Sequence, residues 1–384
     1  MTTISLTEAS VPDLPPDDGR APDHRGSWIP TGGMVATRFL ELRRRRGLMI
    51  ALLAVNIGIP VVLLAIRLVS HAVAPRSYGA AGGYDVFTTL VAGIMYVFGF
   101  IVAATVGCTA GSVDLTEGMF RHLVITGRSR LALYLARIPA GLTIVLPIVV
   151  LGFTIVCTVC VLAAPTQLNY DGVTVPAGMS RAGLEQWAGD HAGEVVCNFN
   201  YRGDMTLNVP CDNGPGGGIV KVGPPGASQP TATTAQIRAF AIRMADQDYA
   251  DYHSHFLSPP LPLMVDTGLW ICLEATIGFV VGLGLASLMG QRTVPVVLLV
   301  VLELILTPIF SRHVIAHLID VQRGIVGLAM AHLEPAGLPL PLAGGGGPND
   351  LLLPESRTVA VIVITGWLVI WTALGAWRMV TRDA

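Results

Sequence analysis

Apolar positions along this chain gather into long, almost uncharged runs separated by polar stretches. Little of the sequence shows the strict alternation of a half-buried strand. Six runs predict membrane-spanning helices, at about Leu48–Val69, Val86–Cys108, Leu133–Leu162, Leu263–Met289, Val294–Phe310 and Thr358–Met379. The fifth is short against a hydrocarbon core of about 30 Å at about 1.5 Å per residue. It therefore predicts a locally thinned bilayer or an extension at its outer end. The fold class expected is an all-α polytopic membrane protein with six transmembrane helices.

The polar stretches divide the rest. Residues 1–32 are rich in Pro, Asp and Gly and lack the apolar core of a secretory signal, which predicts a disordered cytoplasmic tail. Residues 33–47 read as an amphipathic entry helix, with Val35, Phe39, Leu40 and Leu42 set against Arg38, Arg43, Arg44, Arg45 and Arg46. Such a helix lies in the headgroup layer before turning into the first span; a simple positive anchor is the other reading. Residues 48–162 hold spans one to three, 263–310 spans four and five, and 358–384 span six with a short tail.

Two long loops, 163–262 and 311–357, remain. The first is long enough for a small folded unit. It opens with strand-like pieces at Gly172–Val175 and Glu194–Phe199, followed by a Gly/Pro-rich stretch, Asn213–Pro230. An amphipathic helix then starts near Thr233, with Ile237, Phe240, Ala241 and Met244 on one face. The second loop opens with Ser311–Leu333, apolar but interrupted by His, Asp and Arg, which fits a partly re-entrant or surface helix. Pro335–Pro348 is a flexible linker.

Arginine placement sets the orientation. Arg38 and Arg43–Arg46 precede span one, Arg121, Arg128, Arg130 and Arg137 lie between spans two and three, Arg292 follows span four, and Arg378 and Arg382 follow span six. The short opposite loop, Ser70–Asp85, carries only Arg76. Both termini are therefore expected in the cytoplasm of a cell (plasma) membrane protein, with both long loops outside. Composition agrees: 52% of the 384 residues are hydrophobic and 13% charged, against about 25% charged in soluble domains. A net charge of -2 gives nucleic acid nothing to attract it.

Candidate chemistry is sparse. Without GxxxxGK[ST], HExxH or GxSxG the chain is expected to be non-catalytic, with no cofactor of its own. Cys108, Cys157, Cys160 and Cys272 lie in apolar runs and read as packing residues. Cys197 and Cys211 lie in the long polar loop, where a disulfide is plausible if the loop is extracellular. His313, His317 and Asp320 read as a polar outer face rather than a metal site, as does His253-Ser254-His255, so no metal is expected. Glu274 and Glu303 stand inside predicted spans, where a charge costs several kcal/mol unless it faces protein or water. They serve either substrate or proton handling, or a structural hydrogen bond between helices. Asn56 and Pro60 are expected to kink or pin span one.

Ala110–Arg137 carries the strongest signal. Asp114 can cap a short helix with Glu117 three residues on, and Gly118 and Gly127 bracket it. Met119, Phe120, Leu123 and Val124 form an apolar strip flanked by Arg121, Arg128, Arg130 and Arg137. An apolar strip shown to the cytoplasm needs a groove to dock in; a basic loop resting on anionic lipid is the alternative.

Together Phe39–Gly47 (FLELRRRRG) and Asp114–Arg130 (DLTEGMFRHLVITGRSR) make the chain resemble the membrane subunit of an ABC-2 type transporter, the type V exporter kind. The resemblance covers most of the chain in topology, but only these segments in motif. The long loop after span three departs from it, so substrate class does not carry over. The resemblance implies a coupling helix at 112–127 docked on a separate ABC ATPase subunit that holds ATP and Mg. It also implies a second copy of the chain or a related permease beside it in the bilayer. Export of an amphipathic substrate (drug, lipid or peptide) is the expected direction. Two alternatives stand: a non-transport protein binding a ligand through its outer loops, and an ion-coupled secondary transporter using Glu274 and Glu303.

Overall fold

The computed structural model describes residues 28–74, 78, 80–116, 129–170, 173–198, 207–211, 218–222, 232–254, 257–311, 321, 323–336, 338 and 355–381. The chain is predominantly helical. Among the described residues five helices are long and apolar enough to cross a membrane: Arg46–Val73, Tyr84–Val113, Arg130–Leu162, Leu261–Met289 and Arg357–Thr381. The expected fifth span falls short of that length, its apolar helix running Thr293–Leu306.

In chain order, α1 is Gly32–Arg44. Helix α2 runs Arg46–Leu53, a π turn at Ala54–Gly58, then Ile59–Val73. Helix α3 runs Tyr84–Leu90, a π turn at Val91–Met95, then Tyr96–Thr116. Helix α4 is Arg130–Leu135 and Arg137–Leu162, joined at Ala136. A polar insert follows: β1 (Gln167–Tyr170), β2 (Val173–Pro176), α5 (Arg181–Asp190), α6 (Ala192–Asn198), β3 (Leu207–Cys211), β4 (Gly218–Val222), α7 (Thr234–Gln247) and α8 (Tyr249–Ser254). Then come α9 (Leu261–Met289), α10 (Thr293–Val301, a π turn at Leu302–Leu306, Thr307–Ser311), the short α11 (Val326–Ala331) and α12 (Arg357–Thr381).

Helix α9 is the hub. Its most apolar stretch is 78% buried, against 22% for α2 and 17% for α12, which face outward. Glycine makes this possible. A Cβ on Gly107 of α3 would sit 2.0 Å from the Phe279 carbonyl oxygen, and one on Gly111 2.5 Å from that of Leu283. Reciprocally, a Cβ on Gly278 of α9 would meet the Phe100 oxygen at 2.7 Å, and one on Gly282 the Ala104 oxygen at 2.4 Å. Each helix thus offers a Gly-x-x-x-Gly stripe, Gly107/Gly111 and Gly278/Gly282, and the two backbones touch. Residue numbers rise together along both helices, so α3 and α9 run parallel, as one full crossing by α4 between them requires. Gly284 opens the opposite side of α9 to the Trp371 backbone of α12.

Asn56 and Pro60 do break the regularity of the first spanning helix. Pro60 has no N–H to return to Asn56, the π turn takes up the slack, and the Asn56 side chain donates to the Leu52 carbonyl at 3.0 Å. Gly152 of α4 lets the two helices close on the freed Asn56 carbonyl; a Cβ there would be 2.0 Å from that oxygen.

The insert is a small mixed unit. Strands β1 and β2 pair antiparallel, as do β3 and β4, and β4 alone lies inside the Gly/Pro-rich stretch Asn213–Pro230. Glu194–Phe199, expected as a strand, is instead largely helix α6. Its Val195 and Val196 bury against Ala188, Phe240, Ala241 and Met244, and that packing outweighs β-branched preference. Helix α7 forms as expected: Thr233 caps it in a full capping box with Gln236, and Phe240, Ala241 and Met244 are buried. Cys197 is disulfide-bonded, while Cys108, Cys157, Cys160 and Cys272 are free thiols. The side chain of Cys211, the expected partner, lies outside the described set. The insert is tied to the bundle at Gly83, whose φ of +97° suits glycine. The Gly83 N–H donates to the Cys160 carbonyl at 2.8 Å and the Tyr84 N–H to that of Leu257 at 3.1 Å.

Candidate functional site

Two places in the bundle bring polar groups together where neighbours exclude water. The first is central. Tyr96 follows Tyr84 by twelve residues, about 18 Å along the helix, and stacks flat on Trp270 of α9 with ring centroids 4.6 Å apart. Both rings spend their polar atoms on α11. The Tyr96 hydroxyl donates to the Gly327 carbonyl at 3.1 Å, and the Trp270 indole to that of Met330 at 3.0 Å. From α12, the Trp367 indole donates to the Gly324 carbonyl at 2.8 Å. Helix α11 thus lies deep in the bundle with its exposed carbonyls answered by aromatic donors, the condition for irregular backbone away from water. Of Ser311–Leu333, expected as a partly re-entrant or surface helix, the described part is the buried helix α11 and its flanks; His313, His317 and Asp320 fall outside the described residues.

Glu274 and Glu303 line the same place. Relative exposures are 1% and 0%, and none of their four carboxyl oxygens has a hydrogen-bond partner among the described residues. The two groups lie close enough to feel each other's charge, and the Tyr96 hydroxyl feels both, and Glu334 as well. Glu303 sits on the π turn of α10, which re-aims side chains relative to a regular helix. Gly327 gives it room: a Cβ there would lie 3.0 Å from Glu303 Oε2 and 3.1 Å from Thr307 Oγ1. Thr307 has already donated its hydroxyl to the Leu302 carbonyl at 3.0 Å.

The second place is at the end of the bundle that carries α1. Arg137, 2% exposed, donates from Nη1 to the Gly111 carbonyl at 3.2 Å. Ser287 of α9 donates to the same oxygen at 3.3 Å. One carbonyl near the C-terminal end of α3 therefore ties three helices together. Nearby, Ser129 caps α4 by accepting from the Ala132 N–H, and Arg130 donates to the Val380 carbonyl of α12 at 3.1 Å. Helix α1 packs here through Met34, against Ala132, Leu133 and Ala136.

The structure places the expected site residues unevenly. Arg38 does not face outward with Arg43 and Arg44; it is buried on the Met34–Leu42 stripe, its guanidinium 2.7 Å from Glu41. Asp114 does not open a separate helix, because α3 continues unbroken to Thr116. Glu117, Gly118, Met119, Phe120, Arg121, Leu123 and Gly127 lie outside the described residues. Sequence reasoning missed Tyr96, Trp270 and Gly327, which carry no motif. It also passed over the glycine stripes, whose four-residue spacing is visible in the sequence. In the insert, a cleft of about 540 Å³ is lined by Leu168, Met179, Tyr249, Tyr252 and His253. Its Tyr252 hydroxyl is committed to Pro176 and Met179 backbone.

No protein-family model, curated protein or solved structure matches this chain.

Proposed function

We propose that the chain is the permease subunit of an ATP-driven exporter of ABC-2 type. It works beside a second copy or a related permease and moves an amphipathic substrate outward. ATP and Mg belong to a separate ATPase docked on the cytoplasmic segment between α3 and α4. The observation that carries this reading is the three-helix junction at Gly111. Helix α3 runs on past it to Thr116 and leads directly into the amphipathic segment, so a push on that segment bears on α3, α4 and α9 together. The basic α1 against the start of α4 and the deep helix between α10 and α12 support the same reading. Packed helices move as units between discrete arrangements, so such a junction converts closure of a docked motor into a change of access.

Affinity purification of the tagged chain from its native membrane in mild detergent tests this. A soluble P-loop ATPase is expected in stoichiometric amount. Phe120→Asp with Leu123→Asp should abolish its recovery and leave the membrane level of the chain unchanged. Undiminished recovery rejects the docking segment, and no ATPase with the unaltered chain rejects the transporter reading.

A further inference from the structure

We propose that Glu274 and Glu303 form a proton-binding site at the centre of the bundle, taking up a proton from water and returning it when the bundle opens.

The argument begins with unmet demand. A buried carboxyl kept only for structure gives its proton to a fixed acceptor and takes hydrogen bonds in return. Here neither group does either among the described residues. Each unanswered buried polar atom costs about 1–3 kcal/mol, and two neighbouring carboxylates without a counter-charge cost far more. Three donors beside the site are spent: the Tyr96 hydroxyl on Gly327, the Thr307 hydroxyl on Leu302, the Trp270 indole on Met330. Among the described residues nothing supplies a counter-charge, and a bound cation would neutralise the pair. Among the described residues no three His, Cys, Asp or Glu side chains converge to hold a metal ion. Two carboxyl groups are a small donor set for a divalent metal, whereas a proton neutralises a buried carboxyl with no further ligand.

The surroundings connect the site to a movable part. Glu303 lies against Gly327, and the carbonyl of Gly327 receives the Tyr96 hydroxyl. A change of charge on Glu303 therefore falls beside the contact that seats α11. Among the described residues the other titratable groups facing the site are Tyr96 on α3 and Glu334 just after α11. Further along, His332 and Glu355 pair with each other at 3.5 Å. The step is a simple exchange: one proton leaves water for the carboxylate pair and returns by the same route, with no electron transfer. It does not depend on what drives the bundle.

Infrared difference spectroscopy of the purified full chain in lipid nanodiscs tests this, with pH varied between about 4 and about 10 to bracket ordinary Glu and Tyr values. Expected is a protonated-carboxyl band that titrates as one proton. It should vanish in the Glu274→Gln, Glu303→Gln double variant, change in either single variant, and persist in Glu185→Gln on the insert. A band present at every pH, or no band distinguishing wild type from the double variant, overturns the proposal in favour of a fixed structural pair. A band that answers to sodium or potassium at constant pH, and not to pH, overturns it in favour of a metal cation. Wild-type spectra alone decide between titrating and fixed carboxyls if the double variant does not fold. Loss of the ATPase in the purification above leaves this result untouched, so the two readings fail separately.

Discussion

Trp270 shows how much one side chain does here. Its ring covers Tyr96, and its single N–H answers a carbonyl of a helix only six residues long. Trp270→Phe keeps most of the packing and removes the donor, a loss of about 1 kcal/mol or somewhat more with the carbonyl left dry. The expected result is faster hydrogen exchange across Val326–Ala331 with little change in the rest of α9; unchanged protection would show that the indole bond is dispensable. Arg38 teaches the converse. As a sequence position it belongs with the outward arginines, but Glu41 one turn on neutralises it and the stem packs along α1's buried stripe. Charge alone did not reveal which arginines meet water, because a partner within one helical turn changes the cost of burial.

At the scale of elements, the contact of α3 with α9 rests on what the glycines lack. Gly107→Ala puts a methyl group against the Phe279 carbonyl, and neither backbone has room to retreat. The expected cost is about 1–3 kcal/mol, read as a lower thermal midpoint in detergent. Gly366→Ala on α12 is the control: nothing lies within 4 Å of its Cβ position, so stability should hold or rise slightly. Equal effects at both sites would contradict the close-contact account. Helix α7 was legible because its cap, its period and its buried face all agree. Helix α6 was not, because its valines prefer strands in isolation and only the docked faces of α5 and α7 make a helix the better choice. Asp114 is a good cap in principle, but α3 runs through it to Thr116, because an existing helix propagates more cheaply than a new one nucleates.

For the whole molecule, the parallel run of α3 and α9 puts the insert and α1 at opposite ends of the bundle. The arginine distribution predicts that the α1 end faces the cytoplasm. In a background with the free thiols replaced, Thr37→Cys should react with an impermeant maleimide only after the cells are opened. Glu185→Cys should react in intact cells. Labelling of both from the same side would rule out this arrangement. The exposed apolar faces of α2 and α12, including Val62, Ile66, Ile362 and Val369, suit lipid or another apolar helix.

Sequence by itself determined where the five long apolar helices lie, because a helix in hydrocarbon must satisfy its own backbone wherever its neighbours are. It also marked Glu274 and Glu303 as residues needing a reason. Only the tertiary structure decided that Glu303 lies against Gly327, whose carbonyl takes the Tyr96 hydroxyl, and that Arg137 and Ser287 meet on Gly111. Such meetings join residues 26 to 231 positions apart in sequence. They depend on the rotation of each helix about its axis and its depth beside its neighbours, which glycine contacts set and apolar runs leave open.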